Sequence, residues 1–264
     1  MQKGTTMDIT HQPSQIRPVA RHVAPAAVFE WLRLGWRDLR KAPGDSLFYG
    51  AAFVLMGYLL TLYFSLAPEF VITLSTLFLL AGPFLAIGLY DIARQLEYYR
   101  GSRIDLAKSM TAWRHNLPSF TLYAALLAVL VFGWFRVSLL MFALFYETAV
   151  PTFDALLADL FNPANLSFLV AYFGTGFLFA TLVFALSAVS IPMMLDREVD
   201  AITAMIASLQ AVYRNLLTML VWAGMIVLLT AIGFATYFIG LMITVPLIGL
   251  ATWHAYRALI AYER

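Results

Sequence analysis

Between Ile191 and Asn215 the chain leaves an apolar run at Pro192, crosses the charged knot Asp196, Arg197, Glu198 and Asp200, and returns to apolar residues at helical spacing. Ile202, Met205, Ile206, Leu209 and Tyr213 fall at i, i+3, i+4, i+7 and i+11, one face of an amphipathic helix. Leu216 then opens the next apolar run. Similar helices are predicted ahead of two other runs. From Pro25 to Lys41, Val28, Trp31, Leu32, Gly35, Trp36 and Leu39 share one face, while Glu30, Arg33, Arg37, Arg40 and Lys41 share the other. That distribution predicts a helix lying in a membrane interface with its tryptophans at headgroup level. Leu106, Met110 and Trp113 predict a shorter one.

Six apolar runs are predicted to cross the membrane, over about 47–67, 71–92, 119–146, 167–195, 216–238 and 241–260. A helix needs about 20 such residues to span a hydrocarbon core of about 30 Å. Solid runs of this length, rather than short alternating segments, exclude a β-barrel and define an all-α integral membrane fold. Residues 25–264 are expected to form a single six-helix membrane domain. The polar leader 1–24 has no apolar period and is expected to be disordered. Pro43 and Gly44 are expected to separate the first interfacial helix from the first span, with Asp45 or Ser46 as its cap. Each even-numbered span carries one proline, Pro83, Pro192 or Pro246, where a missing N–H predicts a kink. Gly50, Gly57, Gly174 and Gly176 are candidate close-packing positions between helices.

Composition agrees: 62% of the residues are hydrophobic and 12% charged. Charge adds a direction. Of the 17 lysines and arginines, all but Arg136 fall on one side of the six-span arrangement. The positive-inside rule makes that side cytoplasmic, with both termini inside. A net charge of +2 gives no reason to expect nucleic acid, and the absence of cysteine excludes disulfides and thiolate metal sites.

Short motifs hint at an internal repeat. GWRDLRKAP from Gly35, AWRHNLP from Ala112 and AVYRN from Ala211 each end an amphipathic segment, and SMTAWRHN and SLQAVYRN extend the likeness of the last two. The exits PFLAIGLYDIARQLEYY and PLIGLATWHAYRALIAYE place Arg94 opposite Arg257. Three units of interfacial helix plus hairpin follow, roughly 25–100, 101–197 and 198–264. The alternative is chance similarity among apolar sequences.

Together, SIPMMLDREVDAITAMIASLQAVYRN, PLIGLATWHAYR, GWRDL and GPFLAIGLYDIARQLE resemble a proteobacterial family of integral membrane proteins catalogued as a domain of unknown function. Some of its members are labelled as cytochrome c oxidase subunits. The resemblance implies a membrane protein from about Arg17 onward and supplies no catalytic residues.

Among single residues Arg136 stands out, because a charge inside an apolar run is costly unless it snorkels or is paired. It is a candidate site for an anion or a lipid phosphate, with Glu69, Glu147, Asp154 and Asp159 as possible partners. The alternative is an arginine that merely reaches the outer headgroups. Asp91, Arg94, Arg114, Asp196 and Arg214 are expected to gather as a charge cluster at the cytoplasmic ends of the spans. His115 and His254 read as interfacial polar residues rather than metal ligands. No phosphate loop, zinc-protease helix or nucleophile elbow is present, so neither catalysis, a metal nor a cofactor is expected. The reading is a non-enzymatic protein with a structural or lipid-associated envelope role, its partner the bilayer and in particular anionic phospholipid; protein partners stay open. The alternatives are a small-solute transporter or channel, using Arg136, Ser138, Thr181, Ser187 and Ser190, and an accessory respiratory subunit.

Overall fold

The structure is a computed structural model that describes residues 17–66, 71–99, 104–145, 166–197 and 199–263, with the side chains of 63–66 and 71–84 outside the description. A short strand β1 (Arg17–Ala20) leads to helices α1 (Ala27–Lys41), α2 (Pro43–Leu66) and α3 (Val71–Tyr98). Then come α4 (Leu106–Met110), a 3-10 turn (Ala112–Asn116), and α5 (Leu117–Phe145). The chain continues through α6 (Leu166–Ser187), α7 (Ser190–Arg197), α8 (Ala201–Arg214), α9 (Leu216–Ala235) and α10 (Leu241–Leu259), and ends in β2 (Ile260–Glu263). The helix bounds follow the expected spans within a few residues, apart from the longer α3. The expected break is present: α1 ends at Lys41, Ala42 bends, and Pro43 opens α2 at the first helical position, where its missing N–H costs nothing, so Asp45 and Ser46 lie inside the first turn instead of capping it.

Among the described residues four helical stretches are long and apolar enough to cross a membrane: Pro43–Leu62, Ala112–Phe145, Leu166–Arg197 and Leu216–Ala235. α10 is different. Eleven of its 19 residues are buried, including Thr244, Thr252, Trp253 and Tyr256, because α1, α2, α3 and α9 surround it. A helix screened from lipid by its neighbours can carry polar residues that a lipid-facing one cannot.

Tight crossings build the bundle around α10. A β-carbon on Gly35 of α1 would meet the Ala251 backbone nitrogen at 2.8 Å, so only glycine lets the two helices cross there. Pro246 has no N–H for the carbonyl of Met242, and that carbonyl faces Gly50 of α2, where a side chain would collide with it. The missing hydrogen bond and the missing side chain thus occupy the same crossing. Gly57 is likewise closed off by Phe238, and Gly176 by Trp134, whereas Gly174 faces open space and is not a packing position. The turn from α9 to α10 bends through Tyr237 and Phe238, both in the left-handed region at φ 52° and 68°.

Pro192 does interrupt its span. The helix breaks at Ala188–Val189, between α6 and α7, where the proline ring crowds the carbonyl four residues back. Ser208 of α8 closes the break: its hydroxyl donates to the Ala185 carbonyl (2.8 Å) and accepts from the Val189 N–H (3.3 Å). Pro83 falls among the residues whose side chains are outside the description.

Two amphipathic helices turn out differently from the sequence expectation. The Trp31 ring is not offered to lipid headgroups; it is buried and meets Trp222 of α9 edge-on at 5.8 Å, where the apolar face of α1 packs on α10 and α9. Trp36 stays exposed. In α8 the side that packs is mostly the small one, Ala201, Ala204, Ala207, Ser208 and Ala211 with Met205 from the expected face, while Ile202, Ile206, Leu209 and Tyr213 face outward. Small residues let α8 seat close against α6 and α7.

The leader also departs from expectation. Residues 1–16 are outside the description, but Arg17–Ala20 pairs antiparallel with Ile260–Glu263, Arg17 opposite Glu263 and Ala20 opposite Ile260. Arg21 N–H donates to the Leu259 carbonyl at 2.7 Å. The Asn215 amide then grips the next turn, accepting from Val23 N–H (2.7 Å) and donating to the Arg21 carbonyl (2.8 Å). A polar composition without period hid this segment, since its order comes from backbone groups elsewhere in the chain.

Candidate functional site

The ends of α3, α7 and α10 meet in a layer of buried charge. Asp91 is fully buried, with one oxygen taken by Arg94 (2.6 and 2.9 Å) and the other by the Gln95 amide (2.7 Å). Arg94 also donates to the Leu195 carbonyl at 3.1 Å, tying α3 to α7. Gln95 in turn accepts from the Asp105 N–H (2.9 Å), which places α4. The i, i+3 and i+4 spacing of Asp91, Arg94 and Gln95 sets all three on one helical face.

Asp196, next in the chain, gathers the other half. Its carboxylate accepts from Tyr256 (2.6 Å) and Tyr98 (3.1 Å), with Arg197 at 3.3 Å and Arg257 at 3.5 Å. Since the Tyr256 proton goes to Asp196, the 2.7 Å contact between Tyr262 and Tyr256 is donated by Tyr262. Burial, reinforced by the nearby Asp196 carboxylate, pushes the Tyr262 hydroxyl up to about 12. Glu97 accepts from the Trp253 indole (2.7 Å) and from Arg257 (3.1 Å). A buried charge is tolerated when it is paired and hydrogen-bonded, and each of these is.

Three of the five expected members therefore meet here: Asp91, Arg94 and Asp196. Two do not. Arg214 donates to the Ala20 carbonyl at 3.0 Å and holds β1, because it ends α8 on the side of the leader. Arg114 is exposed and lies over the Trp113 ring at 5.4 Å. Sequence reading missed Glu97, Tyr98, Tyr256 and Tyr262, and it missed Asp38, whose buried carboxylate meets His254 Nε2 at 2.6 Å and joins α1 to α10. The only available signal was helical spacing from Asp91 and Arg257. His115 is exposed. Among the described residues no group of three or more metal-ligating side chains occurs.

Arg136 is exposed on α5, about 28 Å along the helix from Leu117. Its four candidate partners, Glu69, Glu147, Asp154 and Asp159, lie outside the described residues. Of the other polar residues considered for a path, Ser138 donates to Tyr172 (3.1 Å) and Ser190 to the carbonyls of Leu186 and Ala204.

Beyond the charged layer, α2, α3, α5, α6, α9 and α10 wall a cavity of about 600 Å³. Aromatic and aliphatic side chains make up most of its wall, Phe53, Trp134, Phe179 and Trp222 among them. Its hydroxyl-bearing residues are Tyr90, Tyr123, Ser187 and Thr252, and Trp134 and Trp222 carry indole N–H groups. Tyr123 donates to Ser187 at 2.7 Å, and the Tyr90 hydroxyl lies near Thr252. A second space of about 440 Å³ shares Phe53, Ile226 and Ile248 with the first and runs to Leu241.

Long apolar helices, a charged layer at one end and an apolar interior cavity define an all-α integral membrane protein. Residues 71–196 match the model of a family described as predicted integral membrane protein, DUF2189, whose function is undefined. The matched stretch runs from α3 to α7 and so includes Asp91, Arg94, Arg136, Ser187 and Asp196. No curated protein and no solved structure matches the chain.

Proposed function

We propose that this chain is a six-span inner-membrane protein, both ends cytoplasmic, with a non-enzymatic, lipid-associated role in the envelope. The outward face of α8 carries the reading. Ile202, Ile206, Leu209 and Tyr213 form an exposed apolar stripe that runs on into the exposed Leu216, Leu217 and Leu220 at the start of α9. A stripe of that kind, on a short helix level with the charged layer, belongs in the boundary between headgroups and hydrocarbon.

The basic residues at the same end fit an anionic surface. Arg37, Arg40, Lys41 and Arg114 are exposed, and each such charge near an anionic leaflet is worth about 1 kcal/mol. α3 and α10 supply the second and sixth crossings, α3 by its length and α10 as the screened centre. The order α1–α2–α3, α4–α5–α6 with α7, and α8–α9–α10 supports three units of interfacial helix plus hairpin. The aligned Gly35, Ala112 and Ala211 are all buried, and the aligned Arg94 and Arg257 both reach the Leu195–Asp196 corner.

The cysteine-free chain makes the topology directly testable. Single cysteines replacing Tyr213 and Tyr237, which are 85% and 80% exposed, are treated with an impermeant maleimide on right-side-out and inverted vesicles. Cys at 213 is expected to label only in inverted vesicles and Cys at 237 only in right-side-out ones. Labelling of both from one side would overturn the six-span arrangement. Native mass spectrometry is expected to show anionic phospholipid retained by the wild type and reduced in a combined Arg37→Gln, Arg40→Gln, Arg114→Gln variant. Equal retention would remove the lipid-associated role.

A further inference from the structure

From the interior cavity we infer that the protein holds a neutral, carbonyl-bearing lipid, its head between α5 and α6 and its chain running along α10. This rests on the membrane placement proposed above but concerns a different lipid from the anionic one at the surface.

The wall chemistry selects the head. The cavity of about 600 Å³ lies within the size range of sites for small organic ligands. Among its described lining residues none is charged, so a phosphate entering it would be stripped of water without a cation to compensate. Water fares little better, because four hydroxyls cannot satisfy enough molecules to fill an apolar space of this size. Left empty, the walls would forfeit their dispersion contacts. A neutral amphiphile resolves both difficulties.

The hydroxyls also have a direction. Ser187 accepts the Tyr123 proton, while its own O–H has no acceptor among the described residues. Thr252 gives its proton to the Ile248 carbonyl at 2.7 Å, so it can take the proton of Tyr90. Among these hydroxyls the Ser187 O–H is the one left to donate, beside the indole N–H groups of Trp134 and Trp222 on the same wall, and the group such donors suit is a carbonyl oxygen. Trp134, Phe179 and Trp222 supply flat apolar faces around that point.

The second space receives the chain. It adjoins the first at Phe53, Ile226 and Ile248 and carries Thr230 as its one polar side chain among the described lining residues. From Thr252 to Leu241 the two spaces follow α10 for about 16 Å. An apolar chain lying there would cover Gly57, Phe234 and Val245 as the bilayer itself would, but in a fixed place.

The full chain is purified in mild detergent and reconstituted in phospholipid-only nanodiscs, and its bound lipids are extracted and identified by mass. The wild type is expected to carry about one neutral carbonyl lipid per chain. An ester-linked acylglycerol and an isoprenoid quinone both satisfy the inference, and their masses tell them apart. Ser187→Ala with Tyr123→Phe is expected to lower retention at least tenfold at unchanged thermal stability, and Ala86→Phe, which fills the cavity, to abolish it. Arg37→Gln is expected to leave it unchanged. Should the variants fail to fold, titrating a bromine-labelled acylglycerol or a quinone into wild-type nanodiscs reads the same site through quenching of Trp134 and Trp222 fluorescence. Phospholipid as the sole bound lipid, or no saturable quenching, would overturn the inference while leaving the surface role intact. Loss of anionic lipid with neutral lipid retained would do the reverse.

Discussion

The charged layer and the far halves of α5 and α6 are held together by different forces. In the layer, Asp91, Arg94, Asp196 and Tyr256 lock three helix ends with direct bonds of 2.6–3.1 Å. In the far halves the contact is made of rings: Trp134 against Tyr172 and Phe179, and Phe142 against Phe168, with centroids 5.3–5.6 Å apart. One polar bond, Ser138 to Tyr172, joins them there among the described residues. Outside the rings, Leu140, Leu144, Phe173 and Leu178 are left exposed. The difference follows from the surroundings. Lipid tails solvate an apolar side chain as well as a protein interior does, so helices inside a bilayer gain from close fit rather than from burial. Where the chain leaves the hydrocarbon, a polar group is tolerated only when its partners are complete.

This contrast can be broken most sharply at Arg94. Arg94→Ala leaves the buried Asp91 carboxylate with Gln95 alone and cuts the tie to Leu195, at an expected cost of about 3–5 kcal/mol. Denaturation in detergent micelles measures it, and a loss under about 1 kcal/mol would mean that the layer adds little. Trp134→Ala removes two ring pairs worth about 0.5–1.5 kcal/mol each, so about 1–3 kcal/mol is expected in the same assay. If Trp134→Ala cost more than Arg94→Ala, the ranking of the two regions would be reversed.

Alkaline pH is expected to weaken the layer. The raised Tyr262 hydroxyl binds its proton more tightly folded than unfolded, so its contribution is complete below pH 10 and is lost as pH rises towards 12. Stability is expected to fall over that window, and less steeply in Tyr262→Phe. Identical slopes would take Tyr262 out of the account. The smallest effect is expected at the far end, where Tyr237 adopts a left-handed backbone while its side chain stays exposed. Tyr237→Gly should relieve that strain and raise stability by about 0.5–1 kcal/mol; a decrease would show that the ring itself matters.

Helix positions were legible because lipid imposes one rule over 20 residues at a time, and α2, α5, α6 with α7, and α9 obey it. α10 was legible by length, although Thr244, Thr252 and Tyr256 make it a poor lipid-facing helix. Arg94 could be read as part of a charge cluster, and its likeness to Arg257 was visible in the aligned exits. The Asp38–His254 pair could not be read, since it joins positions 216 residues apart through a crossing that Gly35 permits.

By itself the sequence determined the class of protein, the bounds of its helices, the break at Pro192 and the gathering of charge at one end. Each follows from a local rule: an apolar run, a missing N–H, a charge that cannot enter lipid. Tertiary structure alone decided which side of α8 faces inward, where Trp31 lies, what orders Arg17–Ala24 and that the helices wall an open cavity. These depend on the fit between surfaces distant in the chain, and in a membrane a large apolar face and a face of small residues can each be the one that packs.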